Sequence, residues 1–410
     1  MNRCPAFLYW IFPLCMTLIA CHSQPAASLE MAQKLAQSTL ITDGHVDVPY
    51  RLTRDSLSME DVSKRTLKGD FDFVRAKEGG LDAPFMSIYI PSSYQRGGAK
   101  HYADELIDLV EAIVMEHPTQ FALAKSPDEV EAAVAAGKIA LPMGMENGAA
   151  IEDDLANLTH FYRRGIRYIT LTHGKDNLIC DSSYDTTHTW NGLSPFGLSV
   201  VAEMNRLGIM IDVSHISDSA FYDVMAATKA PAIASHSSCR HFTPGWERNM
   251  SDDMIRRLAE NGGVIQINFG SSFISTESNE SFKALYAHLD GYRESRQLSE
   301  SDPEYIAYEK TYRATHPPRY ATVQEVADHI DHVVNLVGID HVGIGSDYDG
   351  VGDSLPEGLK DVAGYPNLIL ELLNRGYSQS DIEKICYKNV FRVWREGETG
   401  EGGGGLIRRF

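Results

Sequence analysis

Cysteine is scarce in this chain. Six cysteines in 410 residues, none in a C-x-x-C pair, exclude a disulfide-framed scaffold and a structural zinc site built on thiolates. Basic charge is also short: 37 Lys and Arg against 56 Asp and Glu give a formal charge of −19, which repels a phosphate backbone and argues against a nucleic-acid partner. No G-x-x-x-x-G-K-[ST] loop, H-E-x-x-H helix or G-x-S-x-G elbow is present, so nucleotide-hydrolase, zincin and serine-hydrolase readings lack their carriers. Long apolar runs are missing after the first twenty residues, and 43% apolar with 23% charged residues is the composition of a globular chain.

The one apolar run, from Ala6 to Ala20 behind Arg3, has the length of a signal-peptide core and is short for a spanning helix. It ends in Leu18-Ile19-Ala20-Cys21, which resembles the lipobox of bacterial lipoproteins. This predicts a signal peptide over 1–20, acylation of Cys21, a short tether over 21–29, a folded domain over 30–395 and a glycine-rich flexible tail over 396–410. An exported lipoprotein on the periplasmic side of a membrane follows, and His22 after the cysteine favours the outer membrane by resemblance to Gram-negative sorting rules. Cys180, Cys239 and Cys386 remain, enough for one disulfide at most.

From Leu40 onward, β-branched runs alternate with helical patterns, the signature of βα units around a parallel sheet. Eight runs read as strands: Leu40 to Val46, Phe85 to Ile90, Ile139 to Met145, Tyr168 to Thr172, Ile209 to Val213, Ala232 to Ala234, Val264 to Phe269 and His341 to Gly345. Eight strands in roughly 370 residues predict a (β/α)8 barrel of the TIM type. Ser194-Pro195 opens a helix that Gly208 closes, and Thr322 with Glu325 forms a capping box for a helix that Gly338 stops. On the latter, Val323, Val326, Ile330, Val333 and Val337 share a face, which assigns His329 and His332 to the flank or to solvent. Thr276 to Arg319, between the seventh and eighth strands, reads as a polar insertion, a solvated helical hairpin in preference to a lid.

Barrel enzymes carry chemistry at the C-terminal ends of their strands. Here the first strand ends in His45-Val46-Asp47, the third in Glu146, the fourth in His173, the fifth in His215, the sixth in His236 and the eighth in Asp347. One histidine at a strand end is ordinarily a hydrogen-bonded core residue. Four histidines with three acids at six strand ends are costly to bury unless cations pair them, and imidazole plus carboxylate without thiolate suits zinc. His160, His188, His241, His288 and His316 lie in helices or loops with no partner at metal spacing, and read as surface or packing residues.

These blocks, in this order, resemble the membrane (renal) dipeptidase family of zinc metallopeptidases, within the amidohydrolase-like barrels. The resemblance runs from about Thr42 to Arg395 and rests on DGHVD at Asp43, MGMENG at Met143, YITLTHGKDN at Tyr168, GLSPFG at Gly192, NRLGIMIDVSH at Asn205, SHSS at Ser235, RNMSDD at Arg248, GIGSDYDG at Gly343 and LPEGLKDV at Leu355. It implies two Zn²⁺ per chain, one held by His45 and Asp47, the other by His215 and His236, with Glu146 bridging them. It further implies that His173 lies beside the substrate carbonyl, that Arg248 rather than Arg240 holds the substrate carboxylate, and that Asp347 is the acid/base group, contacting substrate as well. The activity implied is hydrolysis of dipeptides by a metal-bridging hydroxide; as partners, a dipeptide substrate, a membrane reached through the lipid and a homodimer are expected. Two other readings stand beside it: a barrel amidohydrolase acting on N-acyl amino acids, lactones or β-lactams, and a lipid-anchored binding protein without turnover. Gly270-Ser271-Ser272-Phe273 departs from the mammalian members, which are more aromatic and hydroxylated there.

Overall fold

A computed structural model describes Met1, residues 27–54 and residues 60–399. The predicted signal peptide, Cys21 and the first part of the tether lie outside the described residues, as do residues 400–410 of the tail. Ser28 caps a first helix, Leu29–Ser38, by accepting from the Met31 N–H, and the last helix, Asn389–Thr399, continues past the predicted boundary at 395. Among the described residues no helix is long and apolar enough to cross a membrane.

Ten strands form: β1 Ile41–Val46, β2 Leu81–Tyr89, β3 Phe121–Leu123, β4 Ile139–Leu141, β5 Met143–Glu146, β6 Ile166–Thr170, β7 Met210–Asp212, β8 Ile233–Ser237, β9 Val264–Ile267 and β10 Val342–Ile344. Eight are parallel neighbours in the order β1-β2-β5-β6-β7-β8-β9-β10. The ring is drawn together where β1 meets the segment after β10: Asp47 N–H donates to the Tyr348 carbonyl (2.9 Å) and Asp347 N–H to that of His45 (3.1 Å). All eight predicted strands enter this barrel, with one correction. The run Ile139 to Met145 is broken at Pro142, which has no N–H to continue a ladder, so β4 pairs with β3 in a side ribbon and only β5 joins the barrel.

Both predicted helix caps are present: Ser194 accepts from Gly197 N–H with Gly208 left-handed at the far end, and Thr322 with Glu325 makes the reciprocal box on Val323–Val337. The reading of His329 is overturned. It is fully buried beside Val326, Ile330 and Val333, because an apolar stripe on a helix is wide enough to take i+3 as well as i+4. The Cys239 N–H donates to its Nδ1 (3.0 Å), and its Nε2 lies 2.9 Å from the Ile274 carbonyl, so both ring nitrogens are satisfied. Burial pulls its pKa down to about 4, and it stays neutral. His332 is half-buried against Asp252 (2.7 Å).

The insertion is a helical hairpin, Thr276–Arg296 and Pro303–Thr315, closed on a small apolar seam of Phe282, Leu285, Leu289 and Tyr305. Cys180, Cys239 and Cys386 are buried and unpaired.

Candidate metal centre

Two buried aspartates set the local backbone. Asp43 accepts from the N–H groups of His45 (3.0 Å) and Ser346 (2.9 Å), tying β1 to the end of β10 at the level of the first predicted ligand. Asp212 accepts from Ser214 N–H (3.0 Å), Ser235 N–H (2.8 Å) and the hydroxyls of Ser235 (2.6 Å) and Thr170, which joins β6, β7 and β8 beneath His215 and His236. Past these anchors the chain turns sharply. Asn147, His215 and Asp347 have φ of 75°, 70° and 64°, a left-handed backbone that costs about 1–2 kcal/mol outside glycine and concentrates at functional sites. Gly350 closes over the acids: a Cβ there would fall 2.2 Å from Asp347 Oδ1 and 2.3 Å from Asp47 Oδ2.

Six of the predicted side chains converge around a seventh, Glu146. Its Oε2 lies 3.4 Å from His45 Nε2, which is 3.4 Å from Asp47 Oδ2. Its Oε1 lies 3.1 Å from His215 Nε2, 3.3 Å from His236 Nε2 and 3.8 Å from His173 Nε2. Asp347 offers a carboxylate oxygen within 4.8 Å of ligand atoms on His45 and Asp47. Apart from His173 these groups are almost wholly buried, and His45 Nε2 and Asp47 Oδ1 have no hydrogen-bond partner. Unpaired buried acceptors are expensive, and a divalent cation is what satisfies several at once.

The proton distribution fits cations too. Burial opposes charge on Glu146, but His45, His173, His215 and His236 outweigh it and hold its carboxyl well below the usual range. Burial, with Arg248 alongside, pushes His215 well below the usual imidazole range, and burial with His45 alongside does the same to His236. Both therefore present lone pairs. Around His45, Tyr168, Glu146 and Asp47 overcome burial and favour positive charge at that corner.

Neighbouring hydroxyls select the tautomers. The Tyr168 hydroxyl donates to the Gly44 carbonyl (2.9 Å), so its oxygen accepts from His45 Nδ1–H (2.8 Å) and leaves Nε2 to face the acids. Ser235 donates to Asp212, so its oxygen accepts from His236 Nδ1–H (2.7 Å) with the same result. Tyr168 in turn needs Gly144, where a Cβ would lie 2.0 Å from the ring. Tyr168→Phe is expected to weaken metal binding by about 10- to 100-fold, read by competition with a chelator, while the circular dichroism spectrum is preserved. Wild-type affinity in this variant would remove the tyrosine from the ligand-orienting role.

Arg248 is only 2% exposed and sits behind the cavity wall, not on it. Its Nη1 donates to Ser237 Oγ (2.8 Å), one Nη2 contact reaches the His236 carbonyl (2.9 Å), another lies 2.9 Å from His215 Nε2, and Nε has no partner. Arg240, the alternative, is taken up bidentately by Asp218 (2.7 and 2.6 Å). A cavity of about 660 Å³, in the range of small-molecule sites, opens above the cluster. Asp47, Glu146, His173, His215 and Asp347 line its floor; Tyr50, Tyr89, Tyr184, Trp246, Phe273 and Tyr286 its walls. Tyr286 comes from the insertion, so the hairpin helps to shape the mouth.

Sequence reasoning missed the orienting hydroxyls of Tyr168 and Ser235, although both lie inside the quoted blocks, and it missed the aromatic walls, which carry no local pattern. One exclusion is overturned. His241, Asp252 and His332, from three separated segments, bring ligand atoms within 4.8 Å of one another, so His241 does have partners at metal spacing.

The profile of the family described as "Membrane dipeptidase (Peptidase family M19)" matches residues 29–402. The chain is similar to the dipeptidase tcpJ of Claviceps purpurea, 34% identical over 364 residues that cover 87% of this chain and 73% of that protein. Its fold is similar to the crystal structure of the probable dipeptidase PvdM from Pseudomonas aeruginosa, with a TM-score of 0.75 at 29% identity, over 91% of this chain and 98% of that one. A metallopeptidase from Rhodobacter sphaeroides, solved with a phosphinate mimic of the dipeptide L-Ala-D-Ala, aligns with a TM-score of 0.71 at 26% identity, over 88% of this chain and 99% of that one.

Proposed function

Given that this chain belongs to the membrane dipeptidase family, peptidase family M19, and is a metallo-dipeptidase of it, we propose that it hydrolyses dipeptides with two zinc ions held by His45 and Asp47, by His215 and His236, and by Glu146 between them. The observation that carries the metal assignment is the division of labour on Glu146: one carboxylate oxygen faces His45, the other faces His215 and His236. When bound, such cations would supply Lewis acidity toward the scissile carbonyl and would bring the attacking water to a near-neutral pKa.

The chain's own residues do the rest. His173, kept neutral mainly by burial with Arg248 nearby, donates an N–H to the carbonyl oxygen as negative charge grows there. Asp347 takes the proton of the attacking water and delivers it to the leaving amine, and Asn268 Nδ2 holds its Oδ2 at 2.7 Å for that transfer. The substrate's carboxylate pairs with Arg248, whose buried Nε is a donor still without an acceptor.

The test is hydrolysis of a dipeptide panel, including L-Ala-D-Ala, beside N-acyl amino acids, a lactone and a β-lactam, with zinc and with a chelator. Dipeptides are expected to be cleaved only with metal present. Turnover confined to the other classes would replace this reading with the amidohydrolase one. In the same assay Arg248→Ala is expected to lose about 30- to 100-fold in kcat/KM on a free dipeptide, the worth of a buried charge-assisted contact, and far less on its C-terminal amide. An equal loss on both substrates would assign Arg248 to shaping the floor and not to carboxylate binding.

For location, the lipobox-like Leu18 to Cys21 supports a lipoprotein facing the periplasm, and His22 after the cysteine supports the outer membrane. Cys21→Ser is expected to abolish labelling by a fatty-acid probe, since a thioether-linked lipid cannot form on a hydroxyl. Undiminished labelling would refute the anchor.

A further inference from the structure

We propose, resting on the dipeptidase reading above, that Arg54 makes this enzyme favour dipeptides whose N-terminal residue carries an acidic side chain. Arg54 ends the helix Val48–Arg54, which follows directly on Asp47, and its side chain lines the same cavity as the candidate ligands. Its guanidinium carbon lies 5.7 Å from the centroid of the Tyr50 ring. Among the described residues it makes no ion pair or hydrogen bond. The preceding arginine, Arg51, is taken by Glu60 (2.8 Å) and Asp349 (3.1 Å), and Arg75 by Asp72 (2.6 Å).

Arg54 is also the one lysine or arginine among the described residues that line the cavity. The charges below it, Asp47, Glu146 and Asp347, face the metal cluster, and the other walls near it are aromatic. The fork of Arg54, without an ion pair among the described residues, is therefore the group on this wall that distinguishes an anionic side chain from a neutral or cationic one.

The barrel order decides which substrate residue meets it. Arg54 follows β1, whose His45 faces Glu146 Oε2, whereas Arg248, which follows β8, lies behind the wall against His215 on the Oε1 side, so the Glu146 carboxylate separates the two neighbourhoods. A dipeptide with its carboxylate toward Arg248 and its scissile carbonyl over the cluster extends its N-terminal residue toward the β1 wall, where Tyr50 and Arg54 lie. Because Arg54 is exposed, its ion pair is of the modest size that solvated pairs show, about two- to fivefold in kcat/KM.

The experiment compares Glu-Ala, Gln-Ala and Lys-Ala with the zinc-loaded full-length protein. Glu-Ala is expected to exceed Gln-Ala by about two- to fivefold, mostly through KM, and the ratio is expected to shrink at high salt. Arg54→Glu is expected to invert the order toward Lys-Ala, and Arg54→Lys to keep part of the original ratio. Hydrolysis of all three with a Glu-to-Gln ratio near one, a ratio that survives in Arg54→Glu, or a preference carried by the second residue instead, overturns the inference and leaves the dipeptidase reading intact. Failure to cleave any of the three, while another amide class is cleaved, overturns that reading and the inference with it.

Discussion

Glu146→Ala is expected to leave the protein folded, without bound zinc, and at least roughly 10³-fold less active on dipeptides, since several kcal/mol of transition-state stabilisation come from the cations. The size follows from geometry. His45, with Asp47 beside it, meets one oxygen of this carboxylate and His215 and His236 the other, so one truncation removes an anionic ligand from both positions and leaves pairs of donors too few to hold a divalent ion. Elemental analysis of the dialysed variant, set beside its circular dichroism spectrum, reads the effect. Retention of two equivalents of zinc with activity near wild type would show that Glu146 is not the bridge.

Asp347→Asn is expected to keep the zinc and lower kcat by about 10²- to 10⁴-fold, the range of general acid/base contributions. This separates proton transfer from ligation, because Asp347 is close enough to His45 and Asp47 to serve either role. Burial, then the nearby carboxylates of Asp47 and Glu146, push its pKa up to about 7, against the lowering effect of His45 and Arg248. A base must be deprotonated to act. Activity is therefore expected above this pKa and lost as pH falls through it, and because cations favour the ionised form the acid limb of the kcat/KM profile lies at or below about pH 7. In Asp347→Asn that limb should vanish. Loss of a zinc equivalent in the variant, with the limb retained in the residual activity, would make Asp347 a ligand.

Much of the site was legible because a barrel turns a one-dimensional rule into a three-dimensional one. Each parallel strand delivers its C-terminal end to the same face, so finding His45, Glu146, His173, His215, His236 and Asp347 at strand ends was enough to expect convergence. The reading failed where a local pattern carries no such rule. His329 looked peripheral because only its helix's aliphatic positions were counted, yet its two hydrogen bonds come from Cys239 and Ile274, 90 and 55 residues away. His241, Asp252 and His332 show no mutual spacing in the chain, and they meet because three segments pack together outside the barrel.

By itself, the sequence determined the eight-stranded parallel architecture, the helix caps, the family and the ligand types, because hydrophobic period, capping chemistry and motif order are all written locally. The tertiary structure alone decided how Glu146 divides its oxygens between His45 and the other histidines, which hydroxyls set the tautomers of His45 and His236, that Arg248 is buried while Arg54 is exposed and without an ion pair among the described residues, and that Tyr286 of the insertion reaches the cavity. Those are distances of a few ångströms between residues tens to hundreds of positions apart. They depend on strand register and on the packing of distant segments, which no local periodicity encodes.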